Sequence, residues 1–550
     1  MPEGAGRRAA GVGLWHPRPM SLVELRILDG PNADLPLPAV RLTLTAPEPG
    51  TPDPAGLVDR IARAAGVFVG PAVSRPGPDG AVIVAFPWLH DGTARALGEA
   101  AVEVMDSTTD EPLADRVRRA ADRVRTADPG GPPRMVDPRI PTVAVTGTNG
   151  KTTTTRLLAR MAREAGLLPA WSSTDGVFVD GRCIEDGDWS GPGGARLVLG
   201  APDVTFAVLE TARGGLMQRG MGVSAVDVAV FTNVSPDHLG LQGLDTVEQL
   251  AWAKSTVVKV VRRGGWAVLN AEDPLVRPYH DAGPGHPWFF ALDPAGEGAD
   301  FAGGLGAPLA TVRQGRLVVA GWHRDEVDLG DARDMPVTIA GLSHENVANA
   351  LAAASAGLAA GLPVEAVRAG LCSFMPDAQV SPGRMNLWSV PTADGGSATV
   401  ILDFAHNEAG AAALLRVGTG LRRPGARLHV SIGNAGDRTD EGIAEVARLA
   451  GEAVDTVQLA AKSHYLRGRT QEDIDDLQRA GLRAVGVEPI EEVPDEPTGL
   501  RALLARARDG DVLAMMIHQD REDCVTLLET VGATADDAAR IRAKAAAGYG

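Results

Sequence analysis

The residues with the strongest chemical character are Thr146-Gly147-Thr148-Asn149-Gly150-Lys151-Thr152. An apolar run of strand length, TVAVT (142–146), enters this loop, and a helix-forming stretch leaves it from about Thr152. In that setting successive backbone N–H groups and the positive end of a helix dipole converge where a polyphosphate would sit. Gly147 and Gly150 permit the tight curl and the close approach of backbone to ligand. Lys151 would reach the β and γ phosphates, and the Thr152 hydroxyl would ligate Mg²⁺. The loop departs from the general G-x-x-x-x-G-K-[ST] pattern, which has glycine where Val145 stands. Two more groups lie at the ends of later apolar runs. Glu210 closes TFAVLE (205–210), and Asp237-His238 follows VDVAVFTN (226–233). The carboxyl ends of parallel strands share the crevice where ligands bind, so Glu210 and His238 are candidate metal ligands facing the loop.

Strands and helices must alternate to hold these groups in one crevice. After the runs at 142–146, 205–210 and 226–233, a helix is expected over about 246–262, with a further strand at WAVLN (266–270). Continuous apolar strands separated by helices imply a parallel sheet covered on both faces. An alanine-rich helix, Asn346 to Leu358, closes this block. A second block begins near Pro382, with strands at ATVILDFA (398–405), RLHVSIG (427–433), DTVQLAA (455–461) and DVLAMMI (511–517). Upstream, the Pro/Gly-rich stretch from Asp128 to Pro141 reads as a linker. It ends a first region that opens with a strand-like VELRIL and a turn at Gly30-Pro31-Asn32. A helical segment from Ala94 to Arg125 closes that region. The expected fold class is α/β. A P-loop central parallel-sheet domain and a C-terminal Rossmann-like α/β domain follow a small α+β N-terminal domain. The boundaries fall at 1–138, 139–379 and 380–550.

At about 150 residues per domain, 550 residues suit three or four domains. With 53 Lys plus Arg against 70 Asp plus Glu, the net charge of −17 argues against a nucleic-acid partner, which needs a basic face. Cys183, Cys372 and Cys524 are too widely spaced for a disulfide framework or a zinc pattern. No stretch approaches the ~18 apolar residues of a membrane helix, and the first twenty residues lack the core of a secretion signal. A cytoplasmic chain without a membrane partner is expected. Only five residues are lysine (Lys151, Lys254, Lys259, Lys462 and Lys544), so 48 of the positive charges are arginine, a bias that suits a GC-rich genome.

TGTNGKTTTT (146–155), LETARGG (209–215), TNVSPDHLG (232–240), LAWAKS (250–255), PGRMN (382–386) and DFAHN (403–407) resemble, in order, the motifs of ATP-dependent Mur ligases and folylpolyglutamate synthases. The likeness covers about 139 to 550 and is greatest to the Mur-ligase-like part of cyanophycin synthetases, whose segments look like Glu210–Gly215 and Tyr465–Arg469. Residues 21–40 resemble the start of that synthetase's N-terminal domain. No ATP-grasp domain stands between the two parts, where the synthetase carries one.

The resemblance implies a ligase. ATP would phosphorylate a carboxylate, an amine would attack the acyl phosphate, and an amide, ADP and phosphate would result. It assigns Thr148, Asn149, Gly150, Lys151, Thr152, Thr153, Asn346, Arg384, Asp403 and His406 to ATP. Thr152, Glu210, His238 and, if carbamoylated, Lys254 would hold the metal; Lys151, Glu210, His238 and Lys254 would serve the chemistry. The family's H-N-x-x-N pattern appears as His344 to Asn349, with both asparagines in place and Glu345 where histidine is expected. Thr174, Asp175, Arg213, Arg467 and Arg469 are candidates for substrate. The cofactors implied are ATP and Mg²⁺, and the partners are small amino-acid or peptide substrates. The Mur-like half of the synthetase adds arginine to an aspartate side chain, and the missing half leaves room for a separate ATP-grasp enzyme as partner, and for a homo-oligomer. The alternatives are a folylpolyglutamate-synthase-like ligase and a non-catalytic ATP-binding paralogue.

Overall fold

The computed structural model describes residues 20–47, 53–67, 70–106, 111–236, 239–323 and 325–548. The chain divides into two compact units: one runs to Arg134 and takes in Gln218–Gly220, and the other holds Met135–Met217 and everything from Met221.

In the first unit the strands Leu22–Leu28, Ala39–Leu44, Val82–Pro87 and Val73–Pro76 form an antiparallel sheet in that spatial order. Alternate residues point to opposite faces of a strand. One face therefore presents Val40, Leu42, Leu44, Val84 and Phe86 to the helices Pro54–Ala65, Asp91–Asp106 and Leu113–Thr126. The helical segment expected over Ala94–Arg125 is thus two helices. The second begins directly after Pro112, whose ring cannot sit inside a continuing helix.

The second unit carries two sheets among the described residues. Six parallel strands make the centre of the first, in the order His286–Phe290, Val261–Asn270, Val226–Phe231, Thr142–Thr146, Phe206–Glu210, Pro169–Ser173. The apolar runs expected as strands are its buried middle, and Thr142–Thr146 lies between the strand that ends at Glu210 and the strand that leads to Asn233. The helices Lys151–Glu164 and His344–Ala359 cover one face, where Leu157, Met161, Ala350 and Ala353 join the core.

Two features differ from expectation. The sheet is extended at both edges by antiparallel hairpins, Gly176–Val179 with Arg182–Asp186, and Leu309–Arg313 with Arg316–Ala320, the latter bordered by the antiparallel edge strand Val327–Asp331. Each turns on two residues with positive φ, Asp180-Gly181 (48° and 85°) and Gln314-Gly315 (53° and 78°), the geometry that matches the twist of paired strands. The helix expected to reach 262 breaks earlier, into Val247–Lys254 and Thr256–Lys259, and the next strand starts at Val261 rather than Trp266. The β-branched Val260 and Val261, which follow the second helix, favour extended chain over helix.

In the second sheet Glu491–Val493, Thr456–Ala460, Leu428–Ile432, Val512–Met516 and Ser397–Asp403 run parallel, flanked by the antiparallel Asn386–Pro391 and Thr534–Ala535. Leu414, Val430 and Ala447 fill one side and Leu500, Leu513 and Leu528 the other. Among the described residues no helix is long and apolar enough to cross a membrane.

Candidate active site

The loop after Thr142–Thr146 is held from below by the residues that follow Val226–Phe231. Thr148 N–H donates to Asn233 O (2.9 Å) and Asn149 N–H to Asn233 Oδ1 (2.9 Å). The Asn149 carbonyl accepts from Thr232 Oγ1 (2.6 Å) and Asn233 Nδ2 (3.1 Å), and Thr148 Oγ1 exchanges bonds with the backbone of Ser235. Both glycines are required. A Cβ on Gly147 (φ +149°) would lie 1.9 Å from Thr232 Oγ1, and one on Gly150 (φ +86°) would lie 2.1 Å from Asn349 Oδ1. Asn349 in turn donates to Asn346 Oδ1 at 3.1 Å, which places the second asparagine of the His344–Asn349 segment directly under the loop.

The helix leaving the loop makes its first backbone bond from Thr154 N–H to Gly150 O (2.9 Å). The N–H groups of Gly150, Lys151, Thr152 and Thr153 therefore lack an intrahelical acceptor and form the anion-binding end of the helix. Lys151 Nζ is parked on Thr148 O at 2.8 Å. Lys254, buried at the end of Val247–Lys254, donates to Gly147 O at 2.6 Å. His238 and Asp237 lie outside the described residues.

Thr152 Oγ1, in the first turn of the helix Lys151–Glu164, donates to Glu210 Oε2 at the end of the strand Phe206–Glu210, at 2.9 Å. Glu210 is 2 % exposed, and its other oxygen, Oε1, is buried with no hydrogen-bond partner. Burial pushes this carboxyl above its ordinary range, against the opposing pull of Lys151 and the Thr152 hydroxyl. A buried carboxylate oxygen left unbonded beside a hydroxyl is the donor set of a hard cation. Among the described residues no three His, Cys, Asp or Glu side chains form a cage.

The C-terminal sheet meets this loop through the segment after Ser397–Asp403. Asn407 Nδ2 donates to Asn149 Oδ1 at 3.3 Å. The Arg384 guanidinium stacks 4.7 Å from the Phe404 ring centre, with its Nε buried and unbonded. Asp403 accepts from Met385 N–H (2.9 Å), and burial raises its pKa to about 6 despite the nearby Arg384. His406 packs on Phe404, with Nδ1 3.0 Å from the Phe404 carbonyl.

A second bridge between the two sheets has no counterpart in the motifs. Arg156, on the helix that leaves the loop, is 4 % exposed; its Nη2 donates to Asp175 Oδ2 (3.0 Å) and its Nη1 to Ser381 Oγ (3.2 Å). Arg521, from the far end of the chain, reaches Asp175 Oδ1 at 3.3 Å. Burial pushes the Asp175 carboxyl up, but Arg384, Arg156 and Arg521 together hold it below the usual range. Beside it Thr174 Oγ1 is buried and unbonded. The remaining candidates stand apart. Arg213 opens the helix Arg213–Gln218 and donates to Leu241 O (3.1 Å); Arg467 is exposed over Tyr465; Arg469 binds the carbonyls of Gly436 and Arg438 and the Asp440 carboxylate. The available signal for Arg156 was a charged residue set between Thr153-Thr154-Thr155 and Leu157-Leu158 in the buried half of its helix.

Known proteins resemble this chain in sequence over both sheets. The family profile described as Mur ligase middle domain matches residues 145–357, and the one described as Mur ligase, glutamate ligase domain, matches 383–516. A cyanophycin synthetase of Synechocystis sp. is 35 % identical over 419 residues, covering 72 % of this chain and 47 % of its own. The chain thus spans about half the length of that relative. The UDP-N-acetylmuramoyl-L-alanyl-D-glutamate--2,6-diaminopimelate ligase of Gloeobacter violaceus is 31 % identical over 390 residues, with 68 % of this chain and 72 % of that protein covered. Among solved structures, a pseudomurein peptide ligase type C from Methanothermus fervidus aligns at 19 % identity with a TM-score of 0.49, covering 72 % of this chain and 80 % of that one.

Proposed function

Because this chain belongs to the Mur ligase family, we propose that it forms amide bonds at the expense of ATP, through an acyl phosphate, joining an amino acid to the carboxylate of an amino acid or peptide. The substrate class is supported by the likeness to cyanophycin synthetases, and the observation that carries the chemistry is the Thr152–Glu210 pair beside Lys151.

The first step joins a substrate carboxylate oxygen to the γ-phosphorus as the bond to the bridging oxygen breaks and ADP leaves. Phosphoryl transfer needs positioning and charge neutralisation more than covalent help. Lys151 swings from the Thr148 carbonyl to the β and γ oxygens, and the four orphan N–H groups of Gly150 to Thr153 fix the polyphosphate. Mg²⁺ bound by Thr152 Oγ1 and Glu210 would spread the charge of the transferred group, and His238 and, if carbamoylated, Lys254 are the further ligands that the family resemblance assigns. Arg384, Asp403, His406 and Asn346 hold the nucleotide, and the Asn407–Asn149 bond keeps the C-terminal domain over the loop, so water is kept from the acyl phosphate. In the second step the amine nitrogen attacks the acyl carbon, loses a proton, and phosphate departs. Thr174 and Asp175 are the residues proposed for the substrate carboxylate, and Arg213, Arg467 and Arg469, which stand apart from the loop, are further candidates for substrate groups.

The test is a screen of amino-acid and dipeptide pairs, with pteroate and folate as controls, for ADP release. Release with an amino-acid pair and its loss in Lys151→Ala is the expected result. No release from any pair with the intact protein would sink the proposal.

A further inference from the structure

Lys462 and Glu496 are both fully buried in the C-terminal sheet domain, yet neither belongs to a motif described above. Lys462 follows Thr456–Ala460, and its Nζ donates to Glu496 Oε1 (2.5 Å) and to Met516 O (2.7 Å), the last residue of Val512–Met516. The Glu496 carboxylate also accepts from the backbone N–H groups of His518 (2.7 Å), Gln519 (3.4 Å) and Asp520 (2.9 Å). Its stem space is reserved too. A Cβ on Gly433, just beyond Leu428–Ile432, would lie 2.3 Å from Lys462 Cε. One ion pair therefore gathers the carboxyl ends of three adjacent parallel strands.

The turn it fixes has two outlets. His518 Nε2 donates to Ala405 O at 2.7 Å, inside the segment that carries Asp403, His406 and Asn407, and its ring lies edge-on to Phe404 at 5.1 Å. Burial, reinforced by Lys462, pushes His518 well below its ordinary pKa, which keeps the ring neutral. At the other outlet Asp520 precedes Arg521, which reaches Asp175 of the middle domain. A buried ion pair is weak ground for stability, since apolar replacements are often neutral or better. What this pair supplies is geometry.

We propose that Lys462 and Glu496 are positioning residues for nucleotide binding: by fixing residues 516–521 they set, through His518, the 403–407 loop against the phosphate loop. The inference rests on the ATP-ligase reading and is tested on the full chain with the double variant Lys462→Met/Glu496→Gln, which leaves no unpaired charge. MgATP affinity is measured by calorimetry, and backbone hydrogen exchange at 403–407 and 518–521 is followed in parallel. The folded double variant is expected to bind MgATP about tenfold more weakly, with faster exchange confined to those two segments. A merely structural role would lower the melting temperature without moving either readout in the folded protein. Wild-type affinity and exchange in the folded double variant would overturn the inference. Should that variant not fold, His518→Leu, which keeps the backbone donor to Glu496 but loses the bond to Ala405, decides it by the same readouts. If the intact protein does not bind MgATP, the ligase reading falls and this inference with it, whereas binding by the intact protein with unchanged affinity and exchange in the variant overturns this one alone.

Discussion

Asn407 gives its side-chain amide to Asn149 at 3.3 Å while its own Oδ1 caps the helix Glu408–Leu421 through Gly410 N–H at 2.9 Å, so one side chain both starts a helix and ties it to the phosphate loop. The two duties are separable. Asn407→Asp keeps an acceptor for the cap and loses the donor to Asn149; Asn407→Ala loses both. Both variants are expected to slow ADP release, but only the alanine variant should lose about 1 kcal/mol of stability, read by urea denaturation.

Glu210 predicts a pH-dependent response to metal. Its folded pKa is raised by burial, so the stability its neutral form supplies is present at low pH and is lost as pH rises through that raised value. Mg²⁺ relieves the buried charge, and MgATP should raise Tm more at a higher pH than at a lower one, by linkage of binding to folding. In Glu210→Gln that pH-dependent part of the shift should vanish, and turnover should fall by about 10²–10³-fold. An equal MgATP shift at both pH values in the intact protein would remove the cation from this carboxylate.

Much of this architecture was legible because its signals are local. TVAVT, VDVAVF and four strands of the second sheet were readable as apolar runs, and the phosphate loop by its glycines and Lys151-Thr152. The hairpins at Asp180-Gly181 and Gln314-Gly315 rest on positive φ values that short dipeptides only hint at. Arg156, Asp175 and Arg521 were not joined by any spacing, since 346 residues separate the outer carboxylate contact. Nor was Lys462, which looks like a surface lysine until the strand ends around it are placed. Side-chain partners that meet only through topology leave no periodic trace.

Asp403 sets a second pH effect. Its ordinary value of 3.8 is raised to about 6 by burial, so the neutral form's contribution to stability is complete below 3.8 and lost as pH rises through about 6. Only the ionised form accepts hydrogen bonds from nucleotide on both oxygens. MgATP affinity should therefore rise with pH across a midpoint near 6, measured by calorimetry, and Asp403→Asn should abolish that step. A step of unchanged size in the variant would assign it to another group.

Asp175→Ala should be costly without touching nucleotide. It leaves the Arg156 guanidinium buried with only Ser381 Oγ, and removing one partner of such a pair costs about 3–5 kcal/mol. Arg521→Gln, whose side chain is 30 % exposed, should cost under about 1 kcal/mol. Chemical denaturation of the two variants compares them directly, and equal losses would contradict the pairing.

Arg156 also qualifies the arginine bias of the composition. Over most of the surface, exchange of arginine for lysine would change little, and base composition is free to choose between them. At 156 the choice is made by shape: one planar head sends two N–H groups to partners beside different sheets, Asp175 and Ser381, and a single ammonium on a flexible stem is less suited to serve both. The codon at this position therefore records a mechanical requirement, and it is where a genome drifting toward lysine would be stopped.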